Sequence, residues 1–61
     1  MKFNYLFRLT YPSGNLGMIS SFAETKKEAW EQAKELIEEL WLDDVEIWDA
    51  PKLILVMKVK R

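Results

Sequence analysis

Residues 3–11, FNYLFRLTY, alternate with period two. Phe3, Tyr5, Phe7, Leu9 and Tyr11 fall on one side, and Asn4, Leu6, Arg8 and Thr10 on the other. Alternation in an aromatic-rich run predicts a half-buried strand, with Leu6 as the apolar exception on its polar side. Pro12-Ser13-Gly14-Asn15 then predicts a hairpin turn: proline presets φ, and Gly14 can take the left-handed conformation that closes the loop. Residues 16–22, LGMISSF, return as a weaker strand, because Gly17 and two serines supply little to pack. Its pattern is ambiguous, and we assign Leu16, Met18 and Phe22 inward and Ile19 outward.

The period then changes. Thr25–Trp41, TKKEAWEQAKELIEELW, reads as one amphipathic helix. At roughly 100° per residue, Ala29, Trp30, Ala33, Leu36, Ile37, Leu40 and Trp41 fill one arc about 140° wide, as a core-facing helix needs. Glu31, Gln32, Lys34, Glu35, Glu38 and Glu39 fill the remainder. Thr25 followed three residues later by Glu28 fits a capping box at the start. Leu42 falls on the polar side of the projection, so the helix should end near Trp41.

Asp43-Asp44 makes the turn out of the helix. VEIWD (45–49) predicts a third strand with Val45 and Ile47 inward. Ala50-Pro51-Lys52 predicts a turn, since Pro51 cannot donate to a ladder and holds Ala50 extended. LILVMKVK (53–60) predicts a fourth strand, with Leu53, Leu55, Met57 and Val59 inward and Ile54, Val56, Lys58 and Lys60 outward. The order β-β-α-β-β implies an α+β two-layer sandwich: a four-stranded antiparallel sheet with one helix packed on one face. Strand order within the sheet is not readable from these patterns.

The length of 61 residues allows one compact domain spanning 1–61, and a chain this short buries only about 60% of its unfolded surface. Small domains often add disulfides or metals. With no Cys and no His, this one must rely on aromatic packing and association. The same absence removes the usual catalytic bases and nucleophiles, so no enzyme activity, cofactor or metal is expected. Asp43 and Asp44 could in principle meet a hard cation, but they read as a turn. No stretch has the length of a membrane span and no apolar signal core opens the chain, so a cytoplasmic protein without a membrane partner is expected.

Charge is segregated. Lys2 and Arg8 stand without an acid in residues 1–23. All ten acids fall between residues 24 and 49, and Lys52, Lys58, Lys60 and Arg61 close the chain. Two contrasting surfaces follow. One is an acidic helix face of Glu31, Glu35, Glu38 and Glu39, suited to a partner protein. The other is an outer sheet face carrying Leu6, Ile19, Trp48, Ile54 and Val56, ringed by Lys2, Arg8, Lys52, Lys58 and Lys60. A one-helix sandwich should present a polar outer face, whereas the run Leu53–Met57 does not alternate. A covered face is therefore expected, with a homodimer as its simplest form. Trp30 and Trp41 are expected to drape over the sheet edges and complete the core.

The run Thr25-Lys26-Lys27-Glu28-Ala29, with Ala33 and Lys34 following, resembles the T-x-x-E-A-x-x-x-A helix start of HicB-type antitoxins. It is similar also to the strand-to-helix step of the arm-binding domains of phage integrases, here with one extra residue between Phe22 and Thr25. A capping box followed by small core-facing residues produces the same pattern, and no site residue is carried over. The functional expectation is a non-enzymatic protein-interaction module, a phage-type or antitoxin-like inhibitor or adaptor that occludes a partner protein. The alternative is a small nucleic-acid-binding protein using Lys2, Arg8, Lys52, Lys58 and Lys60.

Overall fold

The computed structural model describes residues 1–61. Its elements are β1 (Phe3–Thr10), β2 (Leu16–Ala23), α1 (Lys26–Leu40), β3 (Asp44–Asp49) and β4 (Ile54–Lys60). The four strands form one open antiparallel sheet in the order β2-β1-β3-β4, with the helix against one face. The expected α+β layering is therefore present, and the aromatic-rich first strand lies inside the sheet, paired on both sides. No helix is long and apolar enough to cross a membrane.

Local chemistry sets the turns and helix ends. In the first hairpin Gly14 has φ +91°, which a side chain would oppose; its N–H donates to the Tyr11 carbonyl at 2.9 Å. Thr25 is extended, and its hydroxyl accepts the Glu28 N–H at 3.0 Å. Only this half of the expected capping box forms. At the other end Trp41 is left-handed (φ 56°, ψ 48°), and the Leu42 N–H reaches back to the Ile37 carbonyl at 3.0 Å. The Asp43 N–H then ties to the Thr10 carbonyl at 2.8 Å. That reversal drops Leu42 into the core, fully buried, although it lies on the polar side of the helical projection.

The core is Tyr5, Phe7 and Leu9 of β1, Ala23, Ala29, Ala33, Ile37, Leu42, Val45, Ile47 and Val59. None of these side chains is charged, and no buried side-chain nitrogen or oxygen lacks a partner. The alanines allow the helix to approach the sheet closely, while Leu36, Val56, Met57 and Tyr11 pack around the margin. The two helix tryptophans are not core residues: Trp30 is 44% exposed and Trp41 66% exposed. Each carries a cation instead, with Lys34 Nζ 6.0 Å from the Trp30 ring and Arg61 stacked 3.9 Å from Trp41.

One expected strand face is reversed, and a second is reversed in part. In β2, Phe7 pairs with Ile19 and Leu9 with Gly17, so Ile19 shares the helix-side face with Phe7. Leu16, Met18 and Phe22 lie on the outer face with Thr10, Arg8 and Asn4. The reason lies in the hairpin: the Tyr11 N–H donates to the Asn15 carbonyl at 2.9 Å, which fixes the register through the turn. Gly17 sits beneath the Tyr11 ring, whose edge would lie 3.4 Å from a Cβ there. In β4, the ladder shifts between Ile47 and Trp48, so Ile47 pairs with Met57 but Trp48 pairs with Leu55. Val56 is the extra residue of a β-bulge and packs with Met57 against the core. Upstream of the bulge the parity inverts. Leu55 joins the outer face, and Ile54, opposite Asp49, lies on the side of Tyr5.

Candidate functional site

The outer sheet face is built row by row from the register. Ser20, Leu6, Trp48 and Leu55 form one row across β2, β1, β3 and β4. Met18, Arg8, Glu46 and Lys58 form the next, and Leu16, Thr10, Asp44 and Lys60 the third. Leu53 is left-handed (φ 55°) in the β3–β4 turn, where its N–H donates to the Asp49 carbonyl at 2.7 Å and the Lys52 N–H to the Asp49 side chain at 3.1 Å. That turn brings Leu53 beside Leu6, Arg8, Met18 and Trp48, which together line a shallow depression of about 360 Å³. Met18, Leu53 and Leu55 are all substantially exposed. A left-handed conformation costs a non-glycine residue about 1–2 kcal/mol, so the turn holds an exposed leucine against its backbone preference.

Of the residues expected on this face, Leu6 and Trp48 are there, adjacent in one cross-strand pair. Ile19, Ile54 and Val56 are not, for the register and bulge reasons above. Their places are taken by Met18, Leu53 and Leu55. The signal for Met18 was the same strand alternation read in the other phase; nothing local marks the bulge that turns Leu55 outward.

The face is less basic than the cations alone suggest. Arg8 Nη1 lies 3.4 Å from Glu46 Oε1, and Lys58 Nζ lies 4.0 Å from Asp44. Glu46 also accepts the Trp48 indole N–H at 3.2 Å, which fixes the ring beside Leu6. The charges therefore alternate across the sheet. Glu46, two residues before Trp48, shares its face by parity and was legible from the sequence. Lys2 and Lys52 are exposed outside the strands.

On the helix side, Glu31, Glu35, Glu38 and Glu39 are all exposed. Glu35 and Glu39 border a depression of about 280 Å³ between α1 and β2, whose other walls include Phe7, Ile19, Ser21, Gln32 and Leu36. Gln32 bridges the two elements: it accepts the Ser21 hydroxyl and donates to the Phe22 carbonyl at 3.0 Å. No group of three or more acidic side chains is placed to hold a metal ion, and Asp44 faces Lys58 rather than Asp43. No protein-family model matches the chain, and neither a curated protein nor a solved structure does.

Proposed function

We propose that this chain is a small, non-enzymatic protein-interaction module that occludes a partner protein through the outer face of its sheet. The observation that carries the reading is the apolar patch of Leu6, Met18, Trp48, Leu53 and Leu55, on the face opposite the helix. Exposed apolar side chains gathered in one place, with a polar rim, mark interaction surfaces more often than scattered ones do. The indole of Trp48, oriented by Glu46, suits the aromatic anchor of such an interface. The acidic helix face of Glu31, Glu35, Glu38 and Glu39 supplies a second surface for a basic partner. An inhibitor or adaptor needs no more machinery than these two faces.

The test compares two lysine-substituted variants in affinity capture from cell extract. Leu6→Lys/Trp48→Lys alters the sheet face, and Glu31→Lys/Glu35→Lys/Glu38→Lys alters the helix face. The proposal expects a partner retained by the native chain and lost by the sheet-face variant. A partner held equally by both variants removes it, and loss by the helix-face variant alone moves the site to the helix. Nucleic-acid binding by the same sheet face has weaker support, because Glu46 and Asp44 stand between Arg8, Lys58 and Lys60 and would repel a phosphate backbone. Salt-sensitive retention on immobilised nucleic acid would revive it.

A further inference from the structure

The two edges of the sheet differ. The β4 edge is guarded: a bulge interrupts it at Val56, and Lys58 and Lys60 stand along it. Bulges and lysines are devices by which sheets prevent further strands from pairing. The β2 edge has neither. Over eight residues, LGMISSFA, it carries no charge, no proline and no irregularity of register.

Its free hydrogen-bonding groups can be assigned. The Asn4 carbonyl accepts from Ala50 and the Thr10 carbonyl from Asp43, so the even-numbered residues of β1 face β3. The odd-numbered ones therefore face β2 and pair with Gly17, Ile19, Ser21 and Ala23. Leu16, Met18, Ser20 and Phe22 must turn their backbone N–H and C=O groups to the open edge. The Phe22 carbonyl, taken by Gln32 from the helix, is consistent with this.

We infer that this edge pairs antiparallel with β2 of a second copy of the chain, about a two-fold axis at Ile19. Three observations favour a copy over another occupant. First, a two-fold perpendicular to the sheet pairs residues of like parity, which keeps both helices on one side and makes every contact occur twice. Second, centring on Ile19 sets Ile19 against Ile19 of the copy, Met18 against Ser20, and Leu16 against Phe22. Those pairs are apolar or small, with no charge left facing a like charge; Met18 and Ser20 exchange the central ladder bonds, while the Phe22 carbonyl at the end of the strand is already held by Gln32. Third, the guarded β4 edge stops addition after one copy, so the product is a closed eight-stranded sheet rather than a fibre. This pairing differs from the homodimer expected from the sequence, which would cover the outer face of Leu6 and Trp48; an edge-to-edge pair leaves that face free for a partner. One term opposes it: Glu35 and Glu39 of both copies border the groove above the axis. Salt screens that repulsion, so association should tighten with ionic strength, the reverse of capture of a basic segment.

Sedimentation equilibrium on the native chain should give twice the 7.3 kDa chain mass. The dissociation constant should fall as salt rises from about 0.05 to about 0.5 M. Backbone amides of Met18 and Ser20 should exchange more slowly as concentration rises. Ser20→Pro removes an N–H that β1 does not use and should weaken association by about tenfold or more. Met18→Lys/Ser20→Lys sets lysines opposite one another across the axis and should do the same with β1–β2 intact, which covers failure of the proline variant to fold. Trp48→Lys should leave the dimer unchanged, so loss of partner capture and loss of dimer are separate results. A chain that stays monomeric, a dimer indifferent to both edge variants, salt-weakened association, or open-ended assembly would each overturn the inference.

Discussion

The contrast between Leu40 and Leu42 offers the sharpest test of how this fold is held together. Helical projection puts Leu40 inside the apolar stripe and Leu42 among the glutamates. In the folded chain Leu42 is fully buried and Leu40 is 43% exposed, because the left-handed Trp41 ends the helix between them and turns the chain inward. Leu42→Ala removes a completely buried side chain and leaves a cavity among core neighbours, a change that costs about 3 kcal/mol. Leu40→Ala loses only part of its burial, at an open margin that leaves no closed cavity, and should cost about 1 kcal/mol. A 61-residue domain has a total stability of about 3–9 kcal/mol, so the first change consumes a large share of it. Urea titration followed by far-ultraviolet circular dichroism reads both. With a slope of about 1 kcal/mol per molar, the midpoint should fall by about 3 M for Leu42→Ala and about 1 M for Leu40→Ala. Equal shifts, or a larger one for Leu40→Ala, would refute the account of the helix end.

Three further outcomes are expected. Thr25→Ala removes the hydroxyl that accepts the Glu28 N–H and should lower stability by about 1 kcal/mol, with Thr25→Asp restoring most of it in the same titration. Glu46→Gln breaks the pairing with Arg8 while keeping an acceptor for the Trp48 indole; it should cost under about 1 kcal/mol at low salt, an effect that fades in high salt, and leave Trp48 emission unchanged. Arg61→Ala removes the guanidinium stacked on Trp41 and should cost about 0.5–1 kcal/mol, with a change in tryptophan fluorescence absent from a Trp41→Phe background.

Short-range periodicity alone determined most of the architecture. β1 and the centre of α1 were legible with their faces, because each carries enough alternating or helical positions that only one phase buries Tyr5, Phe7 and Leu9 or Ala29, Ala33 and Ile37; Trp30, Leu40 and Trp41, on the same helical arc, stay exposed. The Tyr11–Asn15 turn was legible for a related reason: Gly14 satisfies a backbone requirement that few other residues meet. Among the proposed contact residues, Leu6 and Trp48 followed from this kind of reading.

Tertiary structure decided what depends on partners distant in the chain. β2, with two serines and a glycine, fits either phase about equally well, so its faces were set by pairing with β1 and not by its own pattern; Ile19 went inward and Met18 outward. The bulge at Val56 is one residue of slack between Ile47 and Trp48, visible only once β3 is alongside, and it exchanges Leu55 for Ile54 on the outer face. Leu42 was hidden by a single left-handed residue. Strand order placed β2 at an open edge and gave that edge its chemistry. In each case the sequence left two arrangements of similar local energy, and contacts across the sheet selected between them.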